Sequence, residues 1–251
     1  MITVTLDDGT VYTVKELLGS GDSNAKLYKS DVSGVGYLTY GLSLAPASLS
    51  GHNVCASSSA GCRAACLFTA GMGQVHSVQR ARIAKTKAFF EHKGTFKPML
   101  YDELNAAVRK ANKEGKRLAV RLNVLSDIKW ENEFRDLFAT YPGVQFYDYT
   151  KHRVRMLHSL QPDYQKWPKN YHLTFSRSEC NEQSCLEILR AGGNVTVVFN
   201  KKDLPKEWNG YKVINGDETD LRFLDPKNVV VGLYAKGAGK KDKTGFVVSL
   251  L

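Results

Sequence analysis

The strongest constraint on what this chain can fold into is a rhythm. Short apolar runs recur at 36–45, 118–125, 144–150, 171–176, 194–199, 211–215 and 229–234. Helix-compatible segments such as "ENEFRDLFATYP", "VRMLHSL" and "SCLEILRAGG" separate several of them. Strands that alternate with helices imply parallel pairing, because a right-handed crossover returns the chain to the same sheet. Two longer helices are predicted between the first two runs. One spans 75–93, where Val75, Val78, Ala81, Ala84, Ala88 and Phe89 recur at helical spacing between Arg80, Arg82, Lys85 and Lys87. The other spans 98–115, opening at Pro98 and stopping at Gly115. Ahead of the series, "ITVT", a turn at Asp8-Gly9 and "TVYTV" read as a hairpin.

The expected fold class is α/β: a TIM-barrel-like barrel of parallel strands, partial or distorted, with a small N-terminal β-hairpin extension. A single domain over 1–251 is expected, with 1–35 as hairpin and polar connection and 36–251 as the barrel-like core. An open doubly wound sheet is the alternative, because periodicity carries no information about closure. No apolar run reaches the roughly 18 residues a membrane span needs, so no membrane partner is expected. The opening "MITVTLDDGTVYTV" has no basic stretch leading into an apolar one, so no signal peptide is expected. The formal net charge is +10, from 35 Lys+Arg against 25 Asp+Glu, which favours a polyanionic partner, nucleic acid first.

In parallel α/β folds the reactive groups leave the carboxyl ends of the strands. Here those ends carry Arg121, Asn123, Asp127, Asp148, Lys151, Arg177, Glu179, Asp217, Asp220 and Lys236. Arg121 and Asn123 fall inside the expected strand 118–125 and share a face, because side chains alternate with period two. A buried guanidinium needs an anion or several carbonyls, which points Arg121 toward a site.

The stretch "CASSSAGCRAAC" at 55–66 places Cys55, Cys62 and Cys66 on one loop, with only Cys180 and Cys185 elsewhere. An odd number of cysteines speaks against a disulfide framework and for a reducing cytoplasm. Three thiols on a Gly- and Ser-containing loop suggest metal ligands awaiting a fourth. Cys185 is preferred to Cys180, since a helix start lowers a thiol pKa. Zinc and an iron–sulfur cluster both suit four sulfurs. The six-residue gap exceeds the usual zinc knuckle and favours a 4Fe–4S cluster. "GAGKKDKTG" at 237–245 looks like a phosphate loop but lacks the G-x-x-x-x-G-K-[ST] pattern and precedes no helix.

"GYLTYGLSLAPASLSGHNVCASSSAGCRAACLFTAG", "RLNVLSDIKWE", "QFYDYTK", "YHLTFSRSE", "NVTVVF" and "VINGDETDLRFLDP" together resemble the bacteriophage family called gene-product-88-like. "VVVGLYAKG" and "GFVV" extend the resemblance over roughly residues 25 to 250. It implies a phage-encoded protein acting in the host cytoplasm, not secreted, and names no reaction. A weaker similarity is to radical S-adenosylmethionine enzymes, which also carry cluster cysteines after the first strand. The spacing departs from their C-x3-C-x2-C pattern, so the comparison bears on cluster placement alone.

These readings combine into an expectation of an iron–sulfur protein with an electron-transfer role and an unidentified redox partner. Its cluster would be held by Cys55, Cys62, Cys66 and Cys185, with Arg121 and Arg177 beside it. Two alternatives stand next to it. One is a nucleic-acid-binding replication protein with a structural metal, using the basic helix 75–93. The other is an enzyme acting on a nucleotide or nucleobase, with Arg121, Asn123, Asp127, Lys151 and Asp217 as candidate catalytic residues and Asp220 as a further acid or base.

Overall fold

A computed structural model describes residues 1–21, 36–161, 164 and 166–250. Most of the expected polar connection, 22–35, lies outside the described residues. The chain divides into two compact units, Met1–Ala56 with Gly71–Phe146, and Ser57–Ala70 with Tyr147–Leu251.

In the first unit, β1 (Ile2–Thr5) and β2 (Val11–Val14) form an antiparallel hairpin with Ile2 opposite Val14 and Thr5 opposite Val11. Asp8 shapes its turn by accepting from Thr10 N at 2.9 Å, and Gly9 supplies the positive φ of 78°. Ile2, Val4 and Leu6 alternate inward and pack with α2 (His76–Glu91), which follows the short α1 (Ala60–Ala64) in the chain. β3 (Leu18–Ser20) pairs antiparallel with β4 (Tyr37–Leu42), and β4 pairs parallel with β5 (Arg117–Arg121). The crossover between β4 and β5 contains α2 and α3 (Lys93–Lys113). α3 begins five residues before Pro98 rather than at it. Proline forfeits one ladder bond. The earlier start places Phe96 in an aromatic cluster with Phe89 and Phe134, next to Trp130 of α4 (Trp130–Glu133). A short α5 (Leu137–Thr140) leads to β6 (Gln145–Thr150).

In the second unit, β7 (Tyr171–Ser176), β8 (Val195–Phe199) and β11 (Val230–Tyr234) are parallel neighbours. β10 (Tyr211–Asn215) lies parallel on the far side of β11, and β9 (Glu207–Trp208) closes that edge antiparallel. Helices α6 (Arg153–Leu160) and α7 (Glu182–Arg190) supply the crossovers β6–β7 and β7–β8. Behind β7, Tyr171 Oη donates to the fully buried Asp148 carboxylate at 2.7 Å and accepts from Arg155 Nη2 at 2.7 Å. Asp148, offered by the sequence as a strand-end group, therefore anchors α6 to the sheet.

The strand order is β3-β4-β5-β6-β7-β8-β11-β10-β9, nine strands among the described residues and mostly parallel. All seven expected strands are present, and the α/β class holds. β3 and β9 stand at the two ends of that order, and no closed barrel is shown. A TIM barrel keeps its strands in sequence, whereas here β11 sits between β8 and β10.

The start of β3 is fastened by two side chains. Leu17 and Leu18 N–H donate to the two Glu103 carboxylate oxygens at 2.7 Å each, while Lys85 Nζ donates to Leu17 O at 2.8 Å. Burial raises the Glu103 pKa even against these bonds, and burial lowers that of Lys85. Glu103→Ala leaves two buried amides without acceptors and is expected to cost about 2 kcal/mol, read as a lower urea midpoint.

Candidate functional site

A carboxylate organises the short helix inside the cysteine loop. α1 starts at Ser59, whose Oγ accepts from Cys62 N at 3.1 Å and donates to Glu179 Oε2 at 2.7 Å. Glu179 Oε1 accepts from Gly61 N at 2.7 Å. Burial pushes the Glu179 carboxyl up, but the bonds from Ser59 and Gly61 outweigh it and the pKa is lowered. A Cβ on Gly61 would lie 2.2 Å from Thr244 Oγ1 and 2.8 Å from Glu179 Oε2. Glycine here serves close docking of a short helix, where the sequence suggested room to wrap a metal.

In the first unit, Cys55 Sγ lies 3.5 Å from Leu125 O. In the second, Cys62 packs against Ala65, Ala235, Phe246 and Val247, and Cys66 precedes a single helical turn at Leu67–Thr69. Cys180 is exposed, 3.6 Å from Ser178 Oγ. Cys185 is fully buried in α7, its Sγ 3.5 Å from Asn181 Oδ1. Burial pushes the Cys185 thiol up to about 12, overriding the attraction of Arg177. The expected helix-start thiolate is thus a protonated core thiol. Among the described residues, no group of three or more His, Cys, Asp or Glu side chains is placed to hold a metal ion. That finding overturns the expected iron–sulfur protein and its electron-transfer role.

Arg121 and Asn123 do not share a strand, because β5 ends at Arg121. Arg121 is buried, and its Nη2 lies 3.5 Å from Val124 O. Asn123, 1% exposed, is the hub of the loop after β5. Its Oδ1 accepts from Ser126 Oγ (2.8 Å), Ile128 N (2.9 Å) and Trp130 Nε1 (3.1 Å), and its Nδ2 donates to Ile128 O (2.9 Å). Asp127 donates its backbone N–H to Val54 O at 2.8 Å.

In the second unit, Lys151 Nζ donates to Ser176 Oγ at 3.0 Å and lies 5.7 Å from the centre of the Phe246 ring. Arg177 Nη1 donates to Gly245 O and Phe246 O at 2.8 and 2.9 Å. The two predicted cations therefore meet at Phe246 and hold the C-terminal segment. Asp217 accepts from Tyr234 N at 2.9 Å and binds Lys236 Nζ, so this candidate acid is already neutralised. Asp220 is buried, 3.5 Å from Tyr147 Oη.

The basic helix 75–93, observed as α2, pairs several of its charges within its own unit. Arg80 pairs with Asp8 at 3.3 Å, Lys87 with Asp7 at 3.1 Å and Glu91 at 3.4 Å, and Lys85 grips Leu17. Cations without an ion pair among the described residues include four lysines after the carboxyl ends of β8 and β11. Lys202 and Lys240 place their ammonium groups 5.9 and 5.6 Å from the centre of the half-buried Tyr234 ring. Lys241 and Lys243 are exposed beside Lys240. Among the described residues, Lys202, Lys240, Lys241 and Lys243 carry no ion pair. Asp242, in the middle of this run, is turned into its own loop, where it accepts from Thr244 N, Thr244 Oγ1 and Val247 N. Burial raises its carboxyl pKa, but these bonds outweigh it and the net shift is down. Sequence reasoning set "GAGKKDKTG" aside as a failed phosphate loop. The readable signal was two lysine runs, each just after a strand: 201–202 behind β8 and 240–243 behind β11.

A family model described as Gene product 88 matches residues 16–250. Neither the curated proteins nor the solved structures give a match.

At pH 8, iodoacetamide followed by peptide mass mapping should label Cys180 readily and Cys185 at least about a hundredfold more slowly until the chain is unfolded. Asn123→Ala orphans three donors inside the core, Ser126 Oγ, Ile128 N and Trp130 Nε1. It is expected to lower stability by about 3 kcal/mol in urea denaturation.

Proposed function

From the premise that this chain belongs to the bacteriophage gene product 88 family, we propose that it is a nucleic-acid-binding protein of the infected host's cytoplasm. The lysine loops around Tyr234 are its phosphate-contacting surface. The observation that carries this reading is the set of four lysines without ion pairs on the two loops, in a chain of net charge +10. Cations already matched by carboxylates release no counterions when a polyanion arrives, which removes Arg80 and Lys87 of α2 from consideration. Lysines left to water do release them, and that release supplies most of the affinity for a phosphate backbone.

The chemistry of the patch also bears on specificity. An ammonium is a compact point charge, whereas bidentate reading of guanine relies chiefly on the arginine fork. A surface built from lysines on loops suits backbone contact without base sequence. No helix of the described residues is long and apolar enough to cross a membrane.

The test is binding of labelled nucleic acid by fluorescence anisotropy over a series of salt concentrations. Affinity is expected to fall steeply with salt. Replacing Lys202, Lys240, Lys241 and Lys243 by glutamine should weaken binding at least about tenfold. It should also flatten the logarithmic salt dependence by roughly 0.7–0.9 for each phosphate no longer neutralised. Arg80→Gln should leave binding unchanged. Affinity untouched by the four lysine substitutions, or no binding at low salt, overturns the proposal.

A further inference from the structure

The lysine patch has an aromatic ring at its centre, and a phosphate-binding surface has no need of one. Resting on the reading above, we propose that Tyr234 is a stacking platform for an unpaired base, and that the preferred partner is a single-stranded nucleic acid.

Tyr234 is the last residue of β11, held in register opposite Phe199 of β8. Its backbone N–H is fixed by Asp217 Oδ2 at 2.9 Å, and the next amide, Ala235 N, donates to Phe199 O at 2.9 Å. The half-buried ring is therefore carried by a strand end whose backbone is fixed on both sides. Two lysines from different loops reach it, Lys202 at 5.9 Å and Lys240 at 5.6 Å from its centre. The phenol hydroxyl makes no hydrogen bond among the described residues, so the side chain is not held as a structural anchor as Tyr171 is.

This arrangement suits one form of nucleic acid over the other. Bases in a duplex stack on each other and present only their edges, so a ring at the surface meets no base face. A single strand exposes π-faces, and every base has one, so stacking tolerates any sequence. Lysines from two loops within 6 Å of the ring centre are placed for the phosphates that flank the stacked nucleotide. The ammonium groups that now sit over the phenol can move to those phosphates, which are stronger partners than a ring. A duplex would be left with the lysine contacts alone.

The experiment compares the intact protein with a labelled oligodeoxythymidylate and with a blunt DNA duplex of equal length, at one salt concentration. The single strand is expected to bind at least about tenfold more tightly. Tyr234→Leu should abolish that preference while leaving the salt slope unchanged, since no charge is removed. Tyr234→Phe should keep the preference. Should Tyr234→Leu fail to fold, as judged by circular dichroism, Tyr234→Trp supplies an independent readout. Its added fluorescence, relative to the parent protein, should be quenched by the oligothymidylate and not by the duplex. Equal affinity for both forms, a preference that survives Tyr234→Leu, or equal quenching by both forms overturns the stacking role while lysine-mediated binding stands. Absence of binding to either form overturns both.

Discussion

Parallel hydrogen bonding among β7, β8, β11 and β10 decides where the loops of the second unit can be. Parallel neighbours cannot be joined by a tight turn, so the chain must return each time before starting the next strand. The segments that leave the carboxyl ends, at 177–181, 200–203, 216–222 and 235–243, consequently gather along one edge. Lys202 and Lys240 are 38 residues apart in sequence (240 − 202) yet flank one ring because β8 and β11 are adjacent. The aromatic residue between them is placed by strand pairing and not by any local preference of its own.

Within that frame, carboxylates decide which loops are rigid. Glu179 grips the start of α1, Asp242 folds the loop that carries Lys240–Lys243, Asp217 ties the end of β11, and Glu103 fastens β3. Each accepts backbone N–H groups, which are obligatory donors and costly to leave unmatched in a partly buried place. This division of labour explains the electrostatics. Several acidic side chains turn toward amides and others pair with cations such as Arg80, Lys97, Arg153 and Lys236, while Lys202, Lys240, Lys241 and Lys243 carry no ion pair among the described residues. A chain with 25 acidic residues can in this way still leave four lysines of two loops without ion pairs.

The cysteines show how proximity in sequence can mislead. Three thiols within twelve residues converge on one ion only if the backbone turns all of them to one point. The loop instead breaks into a short helix seated on Glu179, with Cys62 against an apolar cluster and Cys55 beside Leu125 O. Cys185 illustrates a contest between two effects on one pKa. A position near a helix start favours the thiolate, burial disfavours it, and burial wins by a wide margin. A core thiol then acts as a small hydrophobe.

Local pattern was sufficient for the element types: all seven expected strands, the hairpin at Asp8-Gly9 and the two long helices are where periodicity and turn residues placed them, within a few residues. The exceptions have tertiary causes. β5 stops at Arg121 because Asn123 offers its amide to Ser126, Ile128 and Trp130, and α3 starts ahead of Pro98 because Phe96 has an aromatic cluster to join. Net charge favoured a polyanion, but which cations are left without an ion pair was not legible, since pairing of Arg80 with Asp8 and of Lys87 with Asp7 depends on packing the hairpin against α2. What the amino-acid order determined alone is the succession of elements and the overall charge, both of which are sums over local residues. What tertiary structure decided is strand order, the burial that protonates Cys185, and the meeting of Lys202, Lys240 and Tyr234, because these depend on distances between residues far apart along the chain.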